Sequence, residues 1–168
     1  MGAHEHKADV PRNLRIAILT VSTTRSIEED KSGQWMTRLA RREGHDVVDH
    51  RVVTDDAVAI AAQVREVLAA FRPHALLVTG GTGISPADVT IEAVRPLFQK
   101  ELSAFGPLFA QLSYEEIDSA ALLSRATAGT IDSALVFCMP GSLNACKLAC
   151  KALIFPELGH LVKHALQG

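Results

Sequence analysis

Aromatic residues make up only 5% of the 168-residue chain, so its core cannot rest on stacked rings and falls to Leu, Val, Ile and Ala. Charge of one sign is also lacking. A formal net charge of -2 argues against a nucleic-acid binder driven by phosphate neutralisation, although a local basic pocket for one phosphorylated small molecule stays compatible with it. No apolar run approaches the roughly 18 residues that a membrane helix needs. The first twelve residues, MGAHEHKADVPR, hold no apolar stretch of the kind a signal peptide carries. No membrane association is expected, and the cytoplasm is the expected compartment. Cysteine is sparse and unpaired in pattern: Cys138, Cys146 and Cys150 include no CxxC pair, and an odd count suits a reducing compartment. Cys146 and Cys150, four apart, read as small apolar core residues. His160 and His164 are four apart as well, but without the glutamate of an HExxH site they read as surface or interface residues.

What is present is a globular composition, 48% hydrophobic and 21% charged. Residues 1–12 read as a flexible arm and 13–168 as one domain. Residues 14–21 (LRIAILTV) form a short β-branched run suited to a strand buried on both faces. After a polar loop, Asp30 reads as the N-cap of a helix with Trp35, Met36, Leu39 and Ala40 on its apolar stripe, stopped by Gly44. A second strand spans 47–53. Asp55 or Asp56 caps a second helix carrying Ile60, Val64, Val67, Leu68 and Phe71, and a third strand spans 75–79. This β-α-β-α-β alternation predicts a three-layer α/β/α sandwich on a mostly parallel sheet. The second half predicts helices over 90–98 and 107–123. An antiparallel edge hairpin follows, with strands 126–131 and 134–139 around Asp132-Ser133, and closing helices span 143–153 and 156–166.

Ligands of such sheets bind beyond the carboxyl ends of the strands, which selects loops 22–29, 54–56 and 80–88. The sharpest motif lies in the last: Gly80-Gly81-Thr82-Gly83, directly after a buried strand. Three glycines in four residues let backbone N–H groups close on an anion, and Thr82 and Ser85 add hydroxyls. A Walker A loop is excluded because Ile84-Ser85, not Lys-Ser, follows Gly83, and the spacing does not match a dinucleotide fingerprint. A tight glycine turn without a ligand remains the plainer alternative. One of Asp55 and Asp56 is explained as a cap. The other, with Asp88, suits Mg²⁺, which takes one or two carboxylates plus substrate phosphates. Arg25 and Arg125 could each pair with phosphate or with a surface acid. Pro140-Gly141-Ser142 opens a helix and is either an anion site or an ordinary capped turn.

Taken together, ILTVSTTR at 18–25, EEDKSG at 28–33, GHDVVDHRVV at 44–53, VTGGTGISPADVT at 78–90, SYEEI at 113–117, LSRATAG at 123–129 and MPGSLNA at 139–145 resemble the molybdenum cofactor biosynthesis protein B (MoaB) family, and more distantly MogA and the gephyrin G domain. Seven motifs stand in order at matching spacings, and the resemblance runs from about Arg15 to His160, nearly the whole chain. The resemblance implies a trimeric or hexameric α/β sandwich that binds molybdopterin. It further implies an adenylyltransferase that uses Mg²⁺ and ATP to place AMP on the pterin's terminal phosphate, ahead of a molybdenum insertion enzyme. It assigns Asp55 and Asp88 to catalysis and metal, and the phosphate end to Gly80, Gly81, Thr82 and Gly83. Ser22, Thr23, Ser113 and Ser124 go to the substrate pocket, and Pro140, Gly141 and Ser142 to the nucleotide end. Relatives usually carry Asp or Asn at position 23 and often Pro at 54 and 143, where this chain has Thr23, Thr54 and Leu143. Two readings of function stay open on the residues: adenylyl transfer, and a non-catalytic molybdopterin-binding or scaffold protein of the same pathway. A fold with an unrelated phosphorylated ligand is a third.

Overall fold

The computed structural model describes residues 10–167. Its spine begins with β1 (Arg15–Val21), in which every residue after Arg15 is buried. Asp30 ends the following loop as an N-cap, its Oδ1 accepting from the Gly33 amide at 3.0 Å, and starts α1 (Lys31–Arg42). Gly33 is needed in that first turn because a Cβ there would strike Asp30 and His50. Gly44, at φ +87°, then reverses the chain into β2 (Asp46–Val53). Of the two aspartates before α2 (Ala57–Phe71), Asp56 is the cap, accepting from the Ala59 amide at 2.8 Å. Asp55 is left free of that duty. Arg72 in the left-handed region closes α2, and β3 (Ala75–Thr79) returns through the centre, wholly buried.

The second half departs from the pattern expected of it. Helix α3 (Thr90–Val94) is one turn that tightens into a 3₁₀ segment at Arg95–Leu97, where Pro96 cannot continue the α-helical ladder. A two-residue strand that periodicity could not reveal, β4 (Lys100–Glu101), then pairs at the sheet edge. Helix α4 (Phe105–Ile117) starts earlier than expected and gives way to a 3₁₀ stretch at Asp118–Leu123. The expected hairpin is present as β5 (Thr127–Ile131) and β6 (Ala134–Met139), with Asp132 and Ser133 both at positive φ in its two-residue turn. The closing segment runs α5 (Leu143–Leu148), a π-helical turn at Ala149–Ile154, and α6 (Phe155–Leu166) without a break. Pro156 sits in the first turn of α6, where its missing N–H is tolerated, so it does not separate two helices.

The six strands form one sheet in the order β2-β1-β3-β6-β5-β4. β2, β1, β3 and β6 are mutually parallel, and β5 runs antiparallel to both neighbours. Period-two alternation sorts each central strand between two cores. Ile16, Ile18, Leu77, Phe137 and Met139 face α1, α4, α5 and α6, whereas Leu19, Leu76, Val78 and Val136 face α2 and α3. These are the three layers of the expected sandwich. Since β1 connects outward to β2 on one side and β3 lies on the other, the strand order reverses at the β1–β3 boundary, where a ligand crevice is expected. Residues 1–9 of the expected N-terminal arm lie outside the described residues. Val10–Arg12 lie against α6, where a Cβ on Gly159 would meet Val10 and the Pro11 carbonyl. Among the described residues no helix is long and apolar enough to cross a membrane.

Candidate functional site

A cleft of ≈ 310 Å³ opens at that β1–β3 boundary. From the β1 loop, Ser22 is tied to β2 through its amide, 2.8 Å from the Val53 carbonyl. Its Oγ turns back to accept from the amides of Thr24 and Arg25. Thr23 donates its hydroxyl to Asp55 Oδ2 at 2.8 Å and accepts from the Asp55 amide at 3.2 Å. The threonine at this departure from the family pattern therefore orients the aspartate across the crevice.

The glycine loop follows β3. Gly80 and Gly81 both adopt positive φ, 97° and 64°, which a side chain would strain. A Cβ on Gly80 would also collide with the Val21 carbonyl, and one on Gly141 would come within 3.1 Å of the Gly80 Cα. The β1, β3 and β6 loops thus pack backbone against backbone. Thr90 fixes the loop's start, donating Oγ1 to the Gly80 carbonyl at 2.8 Å and its amide to the Gly81 carbonyl at 3.0 Å. Asp88 closes its far end: Oδ2 accepts from the Ser85 amide at 2.9 Å, and the carboxylate lies so close over Gly83 that a Cβ there would be 2.6 Å from it. The amides of Gly81, Thr82 and Gly83 donate to no described residue. Thr82 is 2% exposed, and its Oγ1 is a buried side-chain atom without a hydrogen-bond partner.

The third wall is the Pro140–Gly141 turn after β6. Thr79 Oγ1 donates to the Pro140 carbonyl and Ser32 Oγ to the Gly141 carbonyl, each at 2.9 Å. Beneath it lies Cys146, whose thiol burial pushes up in pKa, as it does at Cys138, raised to about 12. Both are packing residues, and all three cysteines are free and buried.

Of the expected site residues, the structure gathers Ser22, Thr23, Asp55, Gly80, Gly81, Thr82, Gly83, Asp88, Pro140 and Gly141 around this cleft. Ser113, Ser124 and Ser142 do not line it. Ser113 is buried in α4, Ser124 ends the 3₁₀ stretch, and the Ser142 hydroxyl accepts from the Ala145 amide as the N-cap of α5. Arg25 and Arg125 part company. Arg25 lines the cleft and pairs with no described residue, whereas Arg125 is engaged by Glu92 and by loop carbonyls. The Arg125 hydrogen bond holds the Glu92 carboxyl below its usual range. Leu123 and Thr24 also line the cleft. Thr24 sits in irregular backbone with no periodicity to mark it, and Leu123 ends the 3₁₀ stretch, where the helical pattern expected over 107–123 gives no sign that it faces a cleft. Among the described residues no cluster of three or more His, Cys, Asp or Glu could hold a metal by itself. Asp55 and Asp88 each have Oδ2 held by the protein, while Oδ1 accepts no hydrogen bond from a described residue.

Residues 17–160 match the family described as "Probable molybdopterin binding domain". The chain is 50% identical over 167 residues to molybdenum cofactor biosynthesis protein B of Staphylococcus epidermidis, covering 96% of this chain and 95% of that one. A crystal structure of molybdenum cofactor biosynthesis protein B superposes with a TM-score of 0.91 at 44% identity, covering 95% of this chain and all of the other. The tungsten cofactor synthesizing protein MoaB from Pyrococcus furiosus superposes at 0.80 with 37% identity, over 92% of this chain and 98% of that one.

Proposed function

The chain belongs to the molybdopterin-binding domain family of molybdenum cofactor biosynthesis proteins, and from that premise we propose that it binds molybdopterin at the β1–β3 crevice and adenylates it with Mg-ATP. The observation that carries this reading is the buried Thr82 hydroxyl, without a hydrogen-bond partner among the described residues, beside loop amides that donate to none of them. A buried polar atom left unsatisfied costs about 1–3 kcal/mol, which a bound phosphate oxygen would recover. Successive N–H groups from a glycine loop suit such an anion. Arg25 adds a cation at the rim that forms no ion pair with a described residue.

Asp55 and Asp88 fit Mg²⁺ by donor chemistry: both offer a hard, free carboxylate oxygen into one cleft, and substrate phosphates would complete the shell. Bound there, the ion supplies neutralisation of the phosphate charge. The chain's own work is positioning. Thr23 holds Asp55, the Ser85 amide holds Asp88, and the glycine loop grips the pterin phosphate so that its oxygen meets the α-phosphorus of ATP and pyrophosphate leaves. Pro140 and Gly141 border the nucleotide end. From the family resemblance the protein works as a trimer or hexamer and hands its product to a molybdenum insertion enzyme. Exposed apolar side chains on α4 and the 3₁₀ stretch, including Leu108, Ile117 and Leu122, support an assembly. Three unpaired buried thiols suit the cytoplasm.

The test is a turnover assay with molybdopterin, ATP and Mg²⁺ that detects adenylated molybdopterin directly. The parent forms product, and Asp88→Asn, which keeps an acceptor for the Ser85 amide, retains its fold and loses turnover. Full activity in that variant would overturn the assignment of Asp88. Pterin binding without product in the parent would identify a non-catalytic binding protein instead.

A further inference from the structure

The carbonyls of the glycine loop all find partners on one side. Those of Gly80 and Gly81 accept from Thr90. Those of Thr82 and Gly83 accept from a single atom, Arg125 Nε, at 2.9 and 3.1 Å. Arg125 enters from a segment more than forty residues downstream. Its outer nitrogens are held in turn by Glu92, at 2.5 and 3.3 Å, and Nη2 also lies 3.5 Å from the Asp88 carbonyl.

In a trans peptide the N–H points opposite to the carbonyl of the same plane. Thr90, by holding the carbonyls of residues 80 and 81, therefore sets the amides of Gly81 and Thr82. Arg125, by holding those of 82 and 83, sets the amides of Gly83 and Ile84. Without Arg125, two carbonyls lose their donor and the half of the loop nearer Asp88 is free to turn oxygen toward an arriving anion. Because Glu92 neutralises the guanidinium, Arg125 adds little net charge to the cleft, and its contribution is geometric.

We propose that Arg125 is a positioning residue of the cleft, which aims the Gly83 amide at a ligand phosphate while Glu92 fixes its own orientation. This rests on the phosphate-binding reading of the loop. Lysine cannot replace it, because one ammonium cannot serve the loop carbonyls and Glu92 in the same fixed fork.

The experiment measures inorganic pyrophosphate binding by calorimetry and amide exchange of residues 80–84 in the parent, Arg125→Lys, Arg125→Ala and Glu92→Gln, with melting temperatures alongside. We expect about tenfold weaker binding and faster exchange at Gly83 and Ile84 in Arg125→Lys, with its melting temperature near the parent's. A larger loss is expected in Arg125→Ala, partly restored by added methylguanidinium, and a few-fold loss in Glu92→Gln. Parental binding and exchange in the lysine variant would overturn the proposal. If the alanine variant does not fold, the lysine and Glu92 variants decide. If the parent itself does not bind pyrophosphate, the phosphate reading fails separately, and the exchange rates alone judge Arg125: faster exchange upholds its positioning role and unchanged exchange ends it.

Discussion

Asp30 is wholly buried, yet three donors converge on its carboxylate: Thr20 Oγ1 at 2.5 Å, His50 Nε2 at 2.7 Å and the Gly33 amide at 3.0 Å. Burial by itself pushes its pKa up, but the hydrogen bonds from His50, Thr20 and Gly33 together outweigh it and leave the group below its ordinary value of 3.8. The sign follows directly. A carboxyl depressed in the folded state contributes stability that is fully present above the unfolded value and is lost as pH falls through the folded one. Urea midpoints measured from roughly pH 5 down to 3 should therefore fall more steeply for the parent than for Asp30→Asn. At neutral pH, Asp30→Ala should cost about 3 kcal/mol, since it removes a cap and orphans buried donors together. A loss under about 1 kcal/mol would mean that water replaces the carboxylate. The same residue supports the cleft, because the first turn it caps carries Ser32 to the Gly141 carbonyl.

At the scale of elements, the loops after β1, β3 and β6 are one unit, in which Gly80 touches the Val21 carbonyl on one side and Gly141 on the other. Gly80→Ala forces a Cβ against that carbonyl and a non-glycine residue to φ +97°. The expected cost is about 2–3 kcal/mol in denaturant unfolding, together with loss of pyrophosphate binding. Unchanged binding in a folded Gly80→Ala protein would show that the loop is no ligand cradle. The helices tell a related story. Asp30, Asp56 and Ser142 are caps that sequence marks by residue type, and each forms its expected hydrogen bond three residues on. The π turn at Ala149–Ile154 had no such mark. It joins α5 to α6 while keeping Cys150 and Ile154 buried, where the sequence predicts two helices, 143–153 and 156–166.

For the whole molecule, two cores on opposite faces of one sheet hold the strands whose ends build the cleft. Apolar side chains concentrate outside those cores on α4 and the 3₁₀ stretch: Leu108 at 47%, Ile117 at 48% and Leu122 at 85% exposure. Leu123, next to them, lines the cleft. Light scattering at micromolar concentration should give the mass of a trimer or hexamer, and Leu122→Asp should shift it toward smaller species. A parent that is monomeric under those conditions would remove the assembly from the proposed function.

The order of strands and helices in the first half was legible from sequence because burial on both faces writes itself as continuous β-branched runs, and amphipathic helices write themselves with a period of 3.6. The glycine loop was legible because positive φ admits few residues but glycine. By itself the sequence therefore determined the α/β class, the end of the sheet where the cleft opens, and the glycine loop that lines it. Tertiary structure alone decided which of two aspartates is the cap and which faces the cleft, which arginine lines the cleft and which is engaged by Glu92, and that Thr23 holds Asp55 across 32 residues. Those are contacts between distant segments. Their partners carry no periodicity and no fixed spacing, so nothing short of the folded sheet brings them onto one line.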